Sequence, residues 1–123
     1  MRKRGIATLL DLHQEVIDQD DGYWVKIEAW EVPASDPIPH GVRYSLTLHN
    51  PRGLRILGYD NAHAVQMKSG YFGRKLTYDH KHRSANDPGV QYEFKDAYQL
   101  LSDFFADVDK VLKTDKEIWR LSK

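Results

Sequence analysis

A chain of 123 residues, 41% hydrophobic and 29% charged, holds one modest core, which excludes both a disordered tail and a two-core protein. The absence of cysteine excludes disulfides and thiolate metal sites. No apolar run is long enough to cross a bilayer or to follow Arg2, Lys3 and Arg4 as a signal-peptide core, so a single cytoplasmic domain over residues 1–123, with no membrane partner, is expected.

The formal net charge is zero but unevenly spread. Residues 11–31 carry seven acids against Lys26, whereas residues 68–83 carry five bases (Lys68, Arg74, Lys75, Lys81 and Arg83) against Asp79. These are two solvated faces of opposite sign, or a basic patch able to meet phosphate beside an acidic flank.

In chain order, residues 7–18 place Leu10, Leu12 and Val16 at a mostly two-residue period, which predicts a strand. Asp20-Asp21-Gly22 supplies hairpin-turn chemistry. Tyr23, Val25, Ile27 and Ala29 then alternate with Trp24, Lys26, Glu28 and Trp30, predicting a strand with one apolar face. Pro33, Pro37 and Pro39 lack a donor N–H and predict a loop. The clearest strand follows, with Val42, Tyr44, Leu46 and Leu48 alternating with polar residues. Asn50-Pro51-Arg52-Gly53 fits a type I turn into a fourth strand over residues 54–59. Residues 75–82 predict a fifth strand and residues 91–94 a short sixth.

The period then changes. Asp96 is an N-cap with Gln99 at capping-box spacing, and Ala97, Leu100, Leu101, Phe104, Phe105, Val108, Val111 and Leu112 recur at three and four. This predicts an amphipathic helix over residues 96–113 with Asp103, Asp107 and Lys110 outward. Thr114 and Glu117 predict a further short helix. The expected fold is α+β: an antiparallel meander of about five or six strands with the C-terminal helix packed on one face.

The candidate chemistry lies between residues 58 and 83. His80 and His82 form a His-X-His pair, and on a strand both imidazoles share a side, with Tyr78. Such a pair suits acid–base cleavage of an RNA phosphodiester through its own 2′-hydroxyl. It is also half of a divalent metal site completed by Asp60 or His63, or two exposed histidines without a role. Lys68, Arg74, Lys75, Lys81 and Arg83 could neutralise phosphates, and Tyr71, Phe72 and Tyr78 could stack on bases; the competing reading is a surface loop. Asp60 could orient a histidine and Asn61 could contact a base or phosphate, unless Tyr59-Asp60-Asn61 closes a strand as an Asx turn. His13, His40 and His49 receive no role.

The order Gly58-Tyr59-Asp60-Asn61, Asp79-His80-Lys81-His82, Tyr92-X-Phe94 and Gln99-Leu100-Leu101-X-X-Phe104-X-X-Asp107-Val108 resembles the TumE-type toxin family of bacterial toxin–antitoxin modules. Leu12-His13-Gln14-Glu15 and Trp30-Glu31-Val32-Pro33 are similar to that family's first two strands. Residues 62–78 exceed the short link of many members and match a long-loop subgroup. The resemblance implies a cytoplasmic toxin encoded beside a helix-turn-helix antitoxin, with interference with RNA or translation as its proposed action. Carried over by position, Tyr59, Asp60, Asn61, Asp79, His80 and His82 form the polar signature, and their chemistry suggests catalytic roles. The resulting expectation is a toxin and endoribonuclease without a resident cofactor. The alternatives are a non-enzymatic nucleic-acid- or protein-binding module, and a hydrolase holding a divalent metal at His80, His82 and Asp60.

Overall fold

The computed structural model describes residues 5–35, 38–61, 65–67, 75–77, 80–82 and 90–121. The chain opens on helix α1 (Ile6–Asp11), where a strand is expected over residues 7–18; only β1 (Glu15–Asp18) is extended. The reason is tertiary. Ile6 and Leu9, three apart, are both buried, and the helix packs on the C-terminal helix and on the sheet. The two-residue spacing of Leu10, Leu12 and Val16 has less apolar surface to bury on one side. Gly5 caps α1 at φ 82°, and a β-carbon there would lie 2.7 Å from the Tyr98 nitrogen. Gly5→Ala therefore combines a left-handed backbone with a clash against main chain, and urea denaturation should find it destabilised by about 2 kcal/mol or more.

The strands β2 (Trp24–Glu31), β3 (Val42–His49) and β4 (Arg55–Asp60) continue the antiparallel meander begun by β1. Tight turns join β1 to β2 and β3 to β4 as expected. Asp21 and Gly22 take positive φ, and Gly53 donates to the Asn50 carbonyl at 2.8 Å. The Asn50 side chain accepts from the Arg52 and Leu54 amides, which explains its burial.

The expected fifth strand is divided. Its first part, β6 (Lys75–Thr77), pairs with β5 (Val65–Met67) in a separate ribbon, while β7 (His80–His82) pairs with β4. The sixth is β8 (Val90–Gln91), shorter than expected and ending before Tyr92. Among the described residues the main sheet has six strands in the order β1-β2-β3-β4-β7-β8.

Helix α2 (Ala97–Leu121) covers one face. Asp96 caps it by accepting the Gln99 amide at 2.8 Å, and Ala97, Leu100, Phe104 and Val108 enter the core with Val25, Ile27, Leu46, Leu48 and Tyr59. No break occurs at Thr114, so the expected separate last helix is a continuation. No Gly or Pro interrupts the segment, and its last turns are tethered. Tyr23 donates to Asp115, Lys116 lies 2.8 Å from Asp21, and the Arg52 guanidinium lies 4.1 Å from the centre of the Trp119 ring. Asp21, Tyr23, Arg52, Lys116 and Trp119 line a cavity of about 510 Å³.

Candidate functional site at the β4–β7 junction

Successive residues of a strand point to opposite faces, so the polar signature is split across the sheet. Gly58 pairs with His82, Tyr59 with Lys81 and Asp60 with His80. Asp60 and His82 therefore share the face turned away from α2, and Tyr59 and Lys81 share the face beneath it. On the open face His82 Nε2 lies 3.3 Å from Asp60 Oδ2, with both side chains largely buried at 11% and 14% exposed. A carboxylate so placed can fix the orientation of an imidazole. His80 is placed by its backbone directly across the ladder from Asp60.

Under the helix, Tyr59 donates its hydroxyl to Asp107, and Lys81 Nζ lies 3.5 Å from the same carboxylate. Tyr92 donates to Asp103 at 2.6 Å, and the Gln99 amide nitrogen reaches the other Asp103 oxygen at 2.7 Å. Asp103 and Asp107 are thus turned toward the sheet rather than outward. They stand one helical turn apart, each next to a buried apolar residue, Phe104 or Val108. That position at the border of the stripe is the sequence signal that could have found them. Gln99 completes half a capping box only, because its side chain is spent on Asp103.

Both buried tyrosine bonds carry a pH signature. Burial, reinforced by the bond to Asp115, pushes the Tyr23 hydroxyl up to about 12 from 10.0. Burial and then Asp107 raise Tyr59 further above its ordinary value. Tyrosines in the unfolded chain lose their protons near pH 10, whereas these two keep theirs when folded. Their stabilisation is complete below pH 10 and is lost as pH rises from there through the folded values. At about 1.4 kcal/mol per pH unit, Tyr23 alone accounts for about 2–3 kcal/mol. Melting midpoints should fall steeply between pH 10 and 12, and Tyr23→Phe should flatten that fall.

Asn61 is fully buried between strands. Its side-chain oxygen accepts from the Tyr44 amide at 2.9 Å and its nitrogen donates to the Val42 carbonyl at 2.8 Å, so it clamps the end of β4 to β3. It does not meet Asp60 and His82 on the open face. Asp79, Lys68, Tyr71, Phe72, Arg74, Arg83, Tyr78 and His63 lie outside the described residues, and Lys75 is placed by its backbone in β6. The unassigned histidines have structural partners: His13 Nδ1 accepts the Ala29 amide at 3.0 Å, His40 lies against Phe94, and His49 stacks on Trp24 with ring centres 3.9 Å apart. Asp60 and His82 could offer one oxygen and one nitrogen to a metal ion. Among the described residues no group of three His, Asp or Glu converges on such a point.

The family model described as Toxin TumE matches residues 6–112, which include both strands of this junction and the acids of α2. The chain belongs to the TumE toxin family. It is therefore a toxin of the toxin–antitoxin kind, and an antitoxin is its partner in general terms. Comparison with curated proteins and with solved structures returns no match. Among the described residues, no helix is long and apolar enough to cross a membrane. The last turns of α2, with Asp115, Lys116 and Trp119, lie beyond the matched residues.

Proposed function

We propose that this TumE-family toxin is a metal-independent endoribonuclease whose working pair is His80 and His82, oriented by Asp60. The observation that carries the reading is the 3.3 Å approach of His82 to Asp60 on the open face, with His80 opposite Asp60 in the ladder. One imidazole takes the proton from the RNA 2′-hydroxyl, whose oxygen attacks the adjacent phosphorus. The other donates a proton to the departing 5′-oxygen, leaving a 2′,3′-cyclic phosphate and a 5′-hydroxyl. Lys68, Arg74, Lys75 and Arg83 are assigned to the phosphates, Tyr71 and Phe72 to the bases, and Asp79, next to His80 in the sequence, to the catalytic group. Tyr59, Asn61 and Lys81 act as positioning residues, since each is engaged with α2 or β3 rather than with the open face. The proposed setting is the cytoplasm, with a helix-turn-helix antitoxin as partner.

The test is induced expression of the wild type and of His82→Ala, followed by inspection of total cellular RNA. Fragments ending in 2′,3′-cyclic phosphate are expected with the wild type alone. Intact RNA in growth-arrested cells would overturn the nuclease, and activity abolished by a chelator would transfer the same residues to a metal-dependent hydrolase.

A further inference from the structure

The register aligns side chains into rows across the face that α2 leaves uncovered. Asp18, Trp24, His49 and Arg55 form one row, Val16, Lys26, Thr47, Gly58 and His82 the next, Glu28, Ser45 and Asp60 the third, and Trp30 and Arg43 the last. Arg55 joins this face because the ladder shifts between Leu48 and His49. By simple alternation it would share the core side of Leu57, but a bulge re-aims the side chain at its site. It then runs across Gly58, where a β-carbon would stand 3.4 Å from Arg55 Cδ. The guanidinium is thereby laid toward the row that holds His82.

We propose that this face is the bed for single-stranded RNA, held at each end by an aromatic ring beside an arginine and crossing the Asp60–His82 pair between them. The proposal rests on the ribonuclease reading for its ligand and extends it by naming the surface. At one end the Trp24–His49 stack stands next to Arg55; at the other, Trp30 stands next to Arg43. Burial holds the His49 imidazole below its ordinary pKa, so that stack is uncharged at neutral pH. Trp24 and Trp30 are six residues apart on one strand, about 20 Å, the length of a short oligonucleotide. The floor between them is small: Ser45 and Thr47, which bear hydroxyls, and Gly58. Its wall on β2 is open, with the side chains of Lys26 and Glu28 43% and 39% exposed. Aromatic rings and guanidinium groups on a sheet accept unpaired bases irrespective of sequence. A protein partner would instead want an apolar centre without charge, which this floor lacks.

The test uses the full chain carrying His82→Gln, so that RNA is not cut, and a fluorescein-labelled twelve-nucleotide pyrimidine RNA followed by anisotropy at low salt. Trp30 is 41% exposed, so its replacement leaves the core intact. Trp30→Ala should weaken binding by roughly 5- to 100-fold. Trp30→Phe should retain most of the affinity, and Ile118→Ala, on the far helix, should change nothing. Equal affinity in all three, or a wild-type chain that binds no RNA, overturns the proposal. So does a Trp30→Ala chain that loses its co-purified antitoxin while binding RNA normally. Cleavage that survives with Trp30-independent binding removes the bed but not the nuclease. Trp30-dependent binding with no cleavage by a chain retaining His82 supports the bed and removes the nuclease.

Discussion

Replacing His82 by alanine should relieve growth arrest and lower RNA cleavage by about 10²- to 10⁴-fold, the usual contribution of a positioned acid or base. The side chain is close to fully buried and lies 3.3 Å from Asp60, so two effects must be separated. Losing the imidazole removes the proposed proton-transfer group. It also leaves the Asp60 carboxylate without that neighbour. The His82→Gln chain keeps a donor of similar reach, and its melting midpoint should stay within about 5 °C of the wild type. If both variants lose activity while His82→Gln keeps its midpoint, the loss is chemical. Asp60→Asn should fall between them, because an amide can still contact the ring but is a weaker acceptor than a carboxylate. A His82→Gln chain as toxic as the wild type would remove His82 from the chemistry.

Asn61→Ala should be the most damaging substitution in the Tyr-Asp-Asn block, although its effect is on stability. It would strand the Tyr44 amide and the Val42 carbonyl, both of which now face the buried Asn61 side chain. An unpartnered buried polar group costs about 1–3 kcal/mol, so the pair should cost about 2–5 kcal/mol, a large fraction of the stability of a small domain. Asn61→Asp should recover only part of this. Its carboxylate can accept from the Tyr44 amide but faces the Val42 carbonyl with a second acceptor. Urea denaturation with a lowered midpoint and an unchanged slope would confirm the clamp. An Asn61→Ala chain of wild-type stability that is no longer toxic would return the residue to the site.

Much of the sheet was legible because its pattern repeats. The alternation from Tyr23 to Trp30 and from Val42 to His49 gives both the strands and their buried faces, and the turn chemistry at Asn50 to Gly53 gives their connection. The helical stripe from Ala97 to Val111 was equally clear. The start of the chain was not, because Leu10, Leu12 and Val16 give a two-residue period, and the spacing of three between Ile6 and Leu9 takes effect only with α2 there to receive them. Residues 75–82 could not be divided by pattern, since β6 and β7 differ only in which strand each one pairs with.

The sequence alone singled out the candidate residues: a His-X-His pair, an acid in Tyr-Asp-Asn, and two blocks in an order that marks the TumE family. Tertiary structure decided what they do to one another. The β4–β7 register brings Asp60 to His82 and sends Tyr59 and Lys81 through the sheet to Asp107. One residue's shift in that register would exchange the two sets, because a strand alternates its faces at every step. The same geometry, with a bulge that redirects Arg55, draws Trp24, His49 and Trp30 onto one surface with the Asp60–His82 pair. Alternation along β2 puts Trp24 and Trp30 on one face, but only the strand pairing shows that His49 and the Asp60–His82 pair share it.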